Sequence, residues 1–368
     1  MRVLQIIENP SRCSVRTLAD VIENGLVTHD VAIETAFLYP HDGVSLFARP
    51  LYALRLFRRI RHGGFDALIA YQATPNILMA LAGLAAGCRL RIAHQTVMPA
   101  TLARPIRLLD RLLGTLGLYS ANVVGTAAVW REYARYPARY RRTMALIEPG
   151  LDAPCAHHGR GETRRHFALP STQPILLHVG RITAQKNQDM LIRALACLPQ
   201  AHLVLAGDGD MHAAYHDLAV TLGVDDRLHM LGALPANDIA DLYGAADLFA
   251  FPSAWEAFSL ATVEAAMAGL PMIVSELPVL REMLRANGAE SVVFVDPHDT
   301  EAWIAAIAAA IVKPRARTPS SFADAVARKY ARERMVESYL SLFDVRHAAP
   351  ARQDAAIDGV AIASASGT

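Results

Sequence analysis

Residues 174–196 read PILLHVGRITAQKNQDMLIRALA. Pro174–Val179 is a continuous apolar run that stops at Gly180, and the segment after it carries Met190, Leu191, Ala194 and Leu195 on one helical face. A short apolar run, a turn signal and then a 3.6-residue period predict a buried strand feeding a helix, the repeating unit of a parallel sheet covered on both faces. Downstream the unit recurs, with strands predicted at His202–Ala206, Leu228–Leu231, Leu248–Phe251, Pro271–Val274 and Val292–Val295. Upstream lie strands at Arg2–Ile7, Ala67–Tyr71, Leu90–His94, Val123–Gly125 and Ala145–Ile147, with helices over Ser14–Gly25 and Pro75–Gly87. Pro149, Gly150, Pro154, Gly159, Gly161 and Pro170 punctuate the gap between the two series. The sequence therefore predicts an α/β protein of two domains, 1–160 and 161–321, which suits a length of 368 residues. Phe322, Val326, Tyr330, Met335, Tyr339 and Leu342 predict a long amphipathic helix over 322–345, and the Ala-, Ser- and Gly-rich residues 346–368 read as a disordered tail.

Composition narrows the classes. With 19% charged and 53% hydrophobic residues the chain is too charged to be embedded in a membrane and too apolar to be disordered. A net charge of +1 argues against nucleic acid as a partner. That balance hides an asymmetry: residues 1–150 hold 18 Arg, no Lys and 10 acids, whereas residues 151–368 hold 15 Arg, 3 Lys and 25 acids. Cys13, Cys88, Cys155 and Cys197 are too far apart for a metal knuckle or a redox CxxC and read as free thiols of a reducing compartment. The N-terminus enters a strand at once, without the basic and apolar regions of a secretory signal. Polar residues interrupt the longest uncharged run, Ala67–Cys88, so it reads as strand, turn and helix and not as a membrane span.

In open α/β sheets ligands bind beyond the carboxyl ends of the strands. Gly180-Arg181 follows a predicted strand, and Lys186, one of three lysines in the chain, stands five residues on at a helix start. A planar guanidinium, a point charge and free helix N–H groups suit phosphate oxygens, although two unrelated solvated cations would give the same spelling. The second place is Phe251-Pro252-Ser253-Ala254-Trp255-Glu256, followed by a helix of small residues over 259–268 that carries Glu264. A carboxylate on such a helix is costly without partners and accepts well from sugar hydroxyls. The alternatives are that Glu256 caps the helix and that Glu264 pairs with a buried Arg. Asp208-Gly209-Asp210 has the spelling of a metal-binding pair but follows a strand, which makes it a turn.

Gly180-Arg181, Lys186, Gly207-Asp208-Gly209, Gly232, Ala245-Ala246-Asp247-Leu248, Pro252-Ser253, Glu256 with Glu264 eight residues on, Ala268-Gly269-Leu270-Pro271 and Arg281-Glu282 together resemble the nucleotide-sugar half of retaining glycosyltransferases with the GT-B fold, of the family-4 type (glycosyl transferases group 1). The resemblance is specific over about 174–285 and looser elsewhere, where it includes Glu148-Pro149-Gly150-Leu151-Asp152. It implies two Rossmann-like domains facing each other across a cleft, with the C-terminal helix crossing back to the first. It implies that Arg181 and Lys186 neutralise the donor diphosphate and the leaving group, that Glu256 holds donor-sugar hydroxyls and that Glu264 binds the ribose. Gly180, Gly207, the base-binding edge at Leu231 and Gly232, and the N–H groups of Phe258, Ser259 and Leu260 complete the implied donor site. His94, at a strand end in the first domain, falls where the family often places a histidine near the reacting sugar. No metal and no cofactor is expected, since Lys, Arg and a helix start carry the charge work. The sequence departs from the family at Ala257 and Ser259, where Gly is common and where side chains would narrow the sugar pocket, at the loop Glu8–Ser14, which is not Gly-rich, and at Glu148.

The basic half adds a partner. Arg55, Arg58, Arg59 and Arg61 cluster, as do Arg104, Arg107 and Arg111, and Arg131, Arg135, Arg139, Arg141 and Arg142 alternate with Tyr133, Tyr136 and Tyr140. Ile106–Leu118 is apolar on the face expected to lie opposite its arginines. Basic amphipathic surfaces suit anionic membranes. The expectation is a cytoplasmic enzyme, peripheral at the inner face of the cell membrane. It would move a hexosyl group from a UDP- or GDP-sugar to a glycan or lipid-linked acceptor in polysaccharide or glycolipid synthesis. A non-catalytic nucleotide-binding subunit and a nucleotide-sugar epimerase of the same fold are the alternatives.

Overall fold

The structure, a computed structural model, describes residues 1–10, 14–41, 43–286, 292–312 and 320–344. Two six-stranded sheets make up the molecule. The first contains β1 (Arg2–Ile7), β2 (Ala32–Phe37), β3 (Ala67–Tyr71), β4 (Leu90–Gln95), β5 (Ala121–Val124) and β6 (Met144–Leu146), in the order β2-β1-β3-β4-β5-β6. The second contains β7 (Ile175–Val179), β8 (His202–Ala206), β9 (Leu228–Gly232), β10 (Leu248–Phe251), β11 (Met272–Ser275) and β12 (Val292–Val295), in the order β12-β11-β10-β7-β8-β9. Every pairing is parallel. The two sheets with their helices form the GT-B fold.

In the second sheet the chain winds from β7 outward through β8 and β9, then returns to the other side of β7 as β10. The loops after β7 and β10 therefore diverge at a topological switch point, where an open sheet leaves a crevice. Residues that lie far apart in sequence, in 180–187 and 252–259, meet there.

Two local differences from the sequence reading have physical causes. The strand β2 went unread because it is an edge strand with little burial, and its Glu34 faces Arg2 (2.9 Å) and Arg59 (3.0 Å) on the surface. Polar residues on an edge strand break the apolar run that marks a buried one. The predicted single helix over 322–345 is two helices, Ser320–Lys329 and Arg332–Asp344. Between them Leu151 N donates to Tyr330 O at 2.8 Å and Leu151 bridges Ala331 in parallel, which takes the backbone out of the helical ladder. The second helix packs on helix Ser14–Val27 of the first domain, with Val336 against Gly25. Residues 345–368, including the expected tail, lie outside the described residues.

Candidate functional site

Glycines bring three loops together at the carboxyl edge of the second sheet. Gly180 N donates to Ala206 O (3.0 Å), Ile182 N to Asp208 O (3.0 Å) and Gly207 N to Gly232 O (2.8 Å). A Cβ on Gly207 would stand 1.9 Å from Gly180 O, and one on Gly209 would stand 2.1 Å from Ile182 O. Neither position admits a side chain without moving backbone. Asp208 accepts from its neighbour's N–H, Gly209 N, at 2.8 Å, as in a turn. Among the described residues no group of three or more His, Cys, Asp or Glu is arranged to hold a metal ion.

Lys186 and Glu256 meet at the switch point. Lys186 Nζ lies 2.5 Å from Glu256 Oε1, with side-chain exposures of 13% and 5%, and stands 4.7 Å from the centre of the Phe251 ring. Ser253 Oγ donates to the same Glu256 oxygen at 2.6 Å. Gln185 ties the loops further, its carbonyl accepting from Ala254 N (2.9 Å) and its Nε2 donating to Trp255 O (2.8 Å). Asn187 adopts the left-handed conformation (φ 56°) that Asn tolerates better than most residues. Its Nδ2 donates to Pro252 O (3.2 Å) and Pro297 O (2.9 Å). Below the pair, His178 is fully buried, its Nδ1 faces Ala250 O (3.0 Å), and Gln188 Nε2 donates to its Nε2 (3.2 Å). Burial, with the charge of Lys186 nearby, pushes the imidazole down to about 3, so it stays neutral.

Arg181 and Lys186, expected to share one role, have different partners. Lys186 is paired with Glu256, whereas Arg181 is exposed and has only Gln185 Oε1 at 3.5 Å, with no carboxylate partner among the described residues. Ser253, Gln185 and Asn187 were missed as supports. Only the type of Asn187, beside a helix start, carried a local signal.

Glu256 does not cap the following helix, Leu260–Met267. Ser259 does, its Oγ accepting from Thr262 N (3.3 Å) and from Thr262 Oγ1 (2.8 Å). The Ser259 hydroxyl thus turns back into the helix. The N–H groups of Leu260 and Ala261 have no acceptor among the described residues, as the first turn of a helix requires. Glu264 has no arginine partner among the described residues. Its Oε2 accepts from Tyr243 OH at 3.0 Å, and burial holds its carboxyl above the ordinary range against the opposing effect of that hydroxyl. Leu231 is partly buried and Gly232 takes φ 69° at the end of β9. Phe258 lies beside Gly125 of the first domain, and its ring meets Tyr330, at the crossing between the domains, edge-on (5.6 Å between centres).

His94 is buried in β4. Its ring meets Tyr71 edge-on at 5.4 Å, and its Nδ1 has no hydrogen-bond partner among the described residues. Burial lowers it to about 4. The interactions it makes lie within the first domain, so the structure does not join it to Lys186 or Glu256 by contact. Glu148, the departure before the linker, faces Lys329 at 3.4 Å.

The helix Arg104–Thr115 reverses the expected orientation. Asp110 is inside, accepting from Tyr140 OH (2.8 Å), Tyr119 OH (3.0 Å) and Gln95 Nε2 (3.3 Å), while Leu108, Leu109, Leu112 and Leu116 are exposed beside Arg104 and Arg111. The buried carboxylate, with built-in hydroxyl partners, fixes which face turns outward. No helix among the described residues is long and apolar enough to cross a membrane.

This fold and this switch-point site define a GT-B protein. Residues 159–329 match the family described as glycosyl transferases group 1. A D-inositol 3-phosphate glycosyltransferase of Mycolicibacterium smegmatis is 32% identical over 223 residues, 57% of this chain and 51% of that protein. An uncharacterized glycosyltransferase of Methanocaldococcus jannaschii is 34% identical over 143 residues, 38% and 37% of the two chains. The chain thus spans between about a third and a half of the length of these relatives. Among solved structures, HepE of Anabaena in complex with UDP and glucose superposes with a TM-score of 0.77 at 17% identity, covering 94% of this chain and 100% of that one. Sucrose-phosphate synthase of Thermosynechococcus elongatus superposes at 0.78 and 18%, covering 94% and 99%.

Proposed function

We propose that the chain is a retaining, metal-independent hexosyltransferase of the family-4 type, taking a UDP- or GDP-sugar as donor and a glycan or lipid-linked molecule as acceptor. The observation that carries this reading is the Lys186–Glu256 pair at the β7/β10 switch point, with Arg181 beside it and without a carboxylate partner among the described residues. Arg181, with no carboxylate partner among the described residues, meets the diphosphate. Lys186 and the open N–H groups of Leu260 and Ala261 take the charge that grows on the leaving phosphate. Glu256, anchored by Lys186 and Ser253, accepts from donor-sugar hydroxyls, and Glu264 accepts from the ribose. The bond from the anomeric carbon to the phosphate oxygen breaks as the acceptor oxygen bonds to the same face, and the acceptor proton passes to the departing phosphate. His94, neutral at physiological pH, donates or accepts a hydrogen bond at the sugar or the acceptor and carries no charge there.

A thermal-shift screen across UDP-, GDP- and ADP-sugars tests the donor, because a ligand that binds the folded state raises the melting temperature. NMR of the product anomer tests retention. Stability unmoved by any nucleotide-sugar would overturn the reading.

The exposed leucines of helix Arg104–Thr115 and the arginines beside them support a second element of the proposal, that the first domain rests on an anionic lipid surface at the inner face of the cell membrane. Leu51 and Leu54, with Arg55 and Arg58, repeat the combination on the helix Arg49–His62.

A further inference from the structure

The chain crosses between the domains at 147–152 and 329–332, and the two crossings pair with each other through Leu151 and Tyr330. Domains joined only there are free to swing. A second attachment lies far from both crossings in sequence. Glu282, in helix Pro278–Met283 of the second domain, accepts from Ala127 N on Oε1 (2.5 Å) and from Ala128 N on Oε2 (2.7 Å) in the first domain. Thr126, one residue earlier, donates its Oγ1 to Ala257 O (3.4 Å), and Ala257 is the chain neighbour of Glu256. All three bonds cross between the domains.

We propose that Glu282 is a positioning residue for transfer: its carboxylate clasps two consecutive backbone N–H groups of the opposite domain and so seats the Glu256 loop against that domain. This rests on the reading of the cleft as a transferase site. Carboxylate chemistry fits the task. Two oxygens match two adjacent N–H donors, and charge-assisted bonds are the short, strong ones. Lys329 engages the Glu282 carbonyl (2.8 Å) and the Glu148 carboxylate (3.4 Å), so the Glu282 carboxylate remains committed to the amides. An isosteric amide cannot replace it, since Gln would turn an NH2 donor toward an N–H donor. Asp is one methylene short and reaches at most one of the two.

The full chain is compared with Glu282→Ala, Glu282→Gln and Glu282→Asp. Without any sugar or nucleotide, amide exchange at residues 126–130 and the radius of gyration in solution scattering are measured. Exchange at least tenfold faster and a larger radius in the Ala and Gln variants, with partial protection in Asp, are expected. With UDP as probe, affinity stays within about twofold while kcat falls at least tenfold, a split that a merely structural role does not produce. Unchanged exchange and radius, or UDP affinity lost in parallel with kcat, overturns the clasp. If no variant and no wild-type protein transfers sugar, the exchange and scattering results still decide on the clasp while the transferase reading fails alone.

Discussion

Lys186 Nζ and Glu256 Oε1 stand 2.5 Å apart although 70 residues separate them in the chain, and Ser253 Oγ shares the carboxylate oxygen. Removing one member of a nearly buried ion pair strands the other and costs on the order of 3 kcal/mol or more, whereas replacing both with neutral groups of similar shape can be close to neutral. Lys186→Met and Glu256→Gln are each expected to lower stability by that order. The double variant should recover much of the loss, and all three should lose transfer. Denaturant unfolding of the four proteins checks this, and purely additive losses would show that the pair is not coupled.

Acid is expected to weaken the fold through His94 and His178. Their folded-state values, about 4 and about 3, lie below the ordinary 6.5, so the unfolded chain binds more protons between those limits. The stability is whole above pH 6.5 and is lost as pH falls, by about 2 kcal/mol for each histidine at pH 5. Asp110, Glu148 and Glu264, held above their ordinary values by burial, act in the opposite sense at the acid end. The decisive comparison is therefore between proteins: His94→Gln should flatten the dependence between pH 7 and 5. For turnover, His94→Ala should lower kcat more than it weakens nucleotide binding, and the wild-type kcat should show no inflection near 6.5 from this residue. Unchanged turnover removes His94 from the mechanism.

Ser259 caps the helix Leu260–Met267. Ser259→Ala is expected to cost about 1 kcal/mol of stability and Ser259→Gly only a few tenths, the ordinary ranking for such caps. Donor affinity should stay within about twofold in Ser259→Gly. A gain in affinity or a change in sugar preference on that substitution would return the side chain to the pocket.

Glu264, which accepts from Tyr243 OH, is the residue proposed to bind the ribose. A hydrogen bond to a charged acceptor contributes about 1.5–3 kcal/mol, so Glu264→Ala should weaken UDP binding by about tenfold or more. The loss should vanish when 2′,3′-dideoxy-UDP is the ligand, which titration calorimetry reads directly. Tyr243→Phe should give a smaller loss in the same direction, because it removes the hydroxyl that Glu264 accepts from and leaves the carboxylate less fixed. Equal losses for both nucleotides would place Glu264 away from the ribose.

The leucine face of helix Arg104–Thr115 is expected to hold the protein on vesicles containing anionic lipid at low salt. Leu108→Ser with Leu112→Ser should reduce co-sedimentation severalfold without touching UDP affinity. Added salt should weaken binding by screening Arg104, Arg107 and Arg111. Pelleting that ignores both lipid charge and these substitutions would sink the membrane surface.

The strands were largely legible because their signal is local. The apolar runs at Arg2–Ile7, Ala67–Tyr71, His202–Ala206, Leu248–Phe251 and Val292–Val295 match the observed strands residue for residue. Their polar ends marked Arg181, Lys186, Glu256 and Glu264, because a strand's carboxyl end is readable without knowing its neighbours. The edge strand β2 escaped because a half-exposed strand carrying Glu34 and Thr35 has no apolar run to read.

The partner of each polar group lay beyond the sequence, since it depends on strand order and helix rotation. The return of β10 to the far side of β7 brought Lys186 to Glu256. The packing of helices gave Glu264 a tyrosine in place of an arginine and turned Asp110 inward with the leucines out. Domain placement alone set Glu282 on Ala127 and Ala128. Periodicity reports which face of an element is apolar, but a hydrogen bond or ion pair between groups tens of residues apart is fixed only when the crossovers close and burial removes water as the alternative partner.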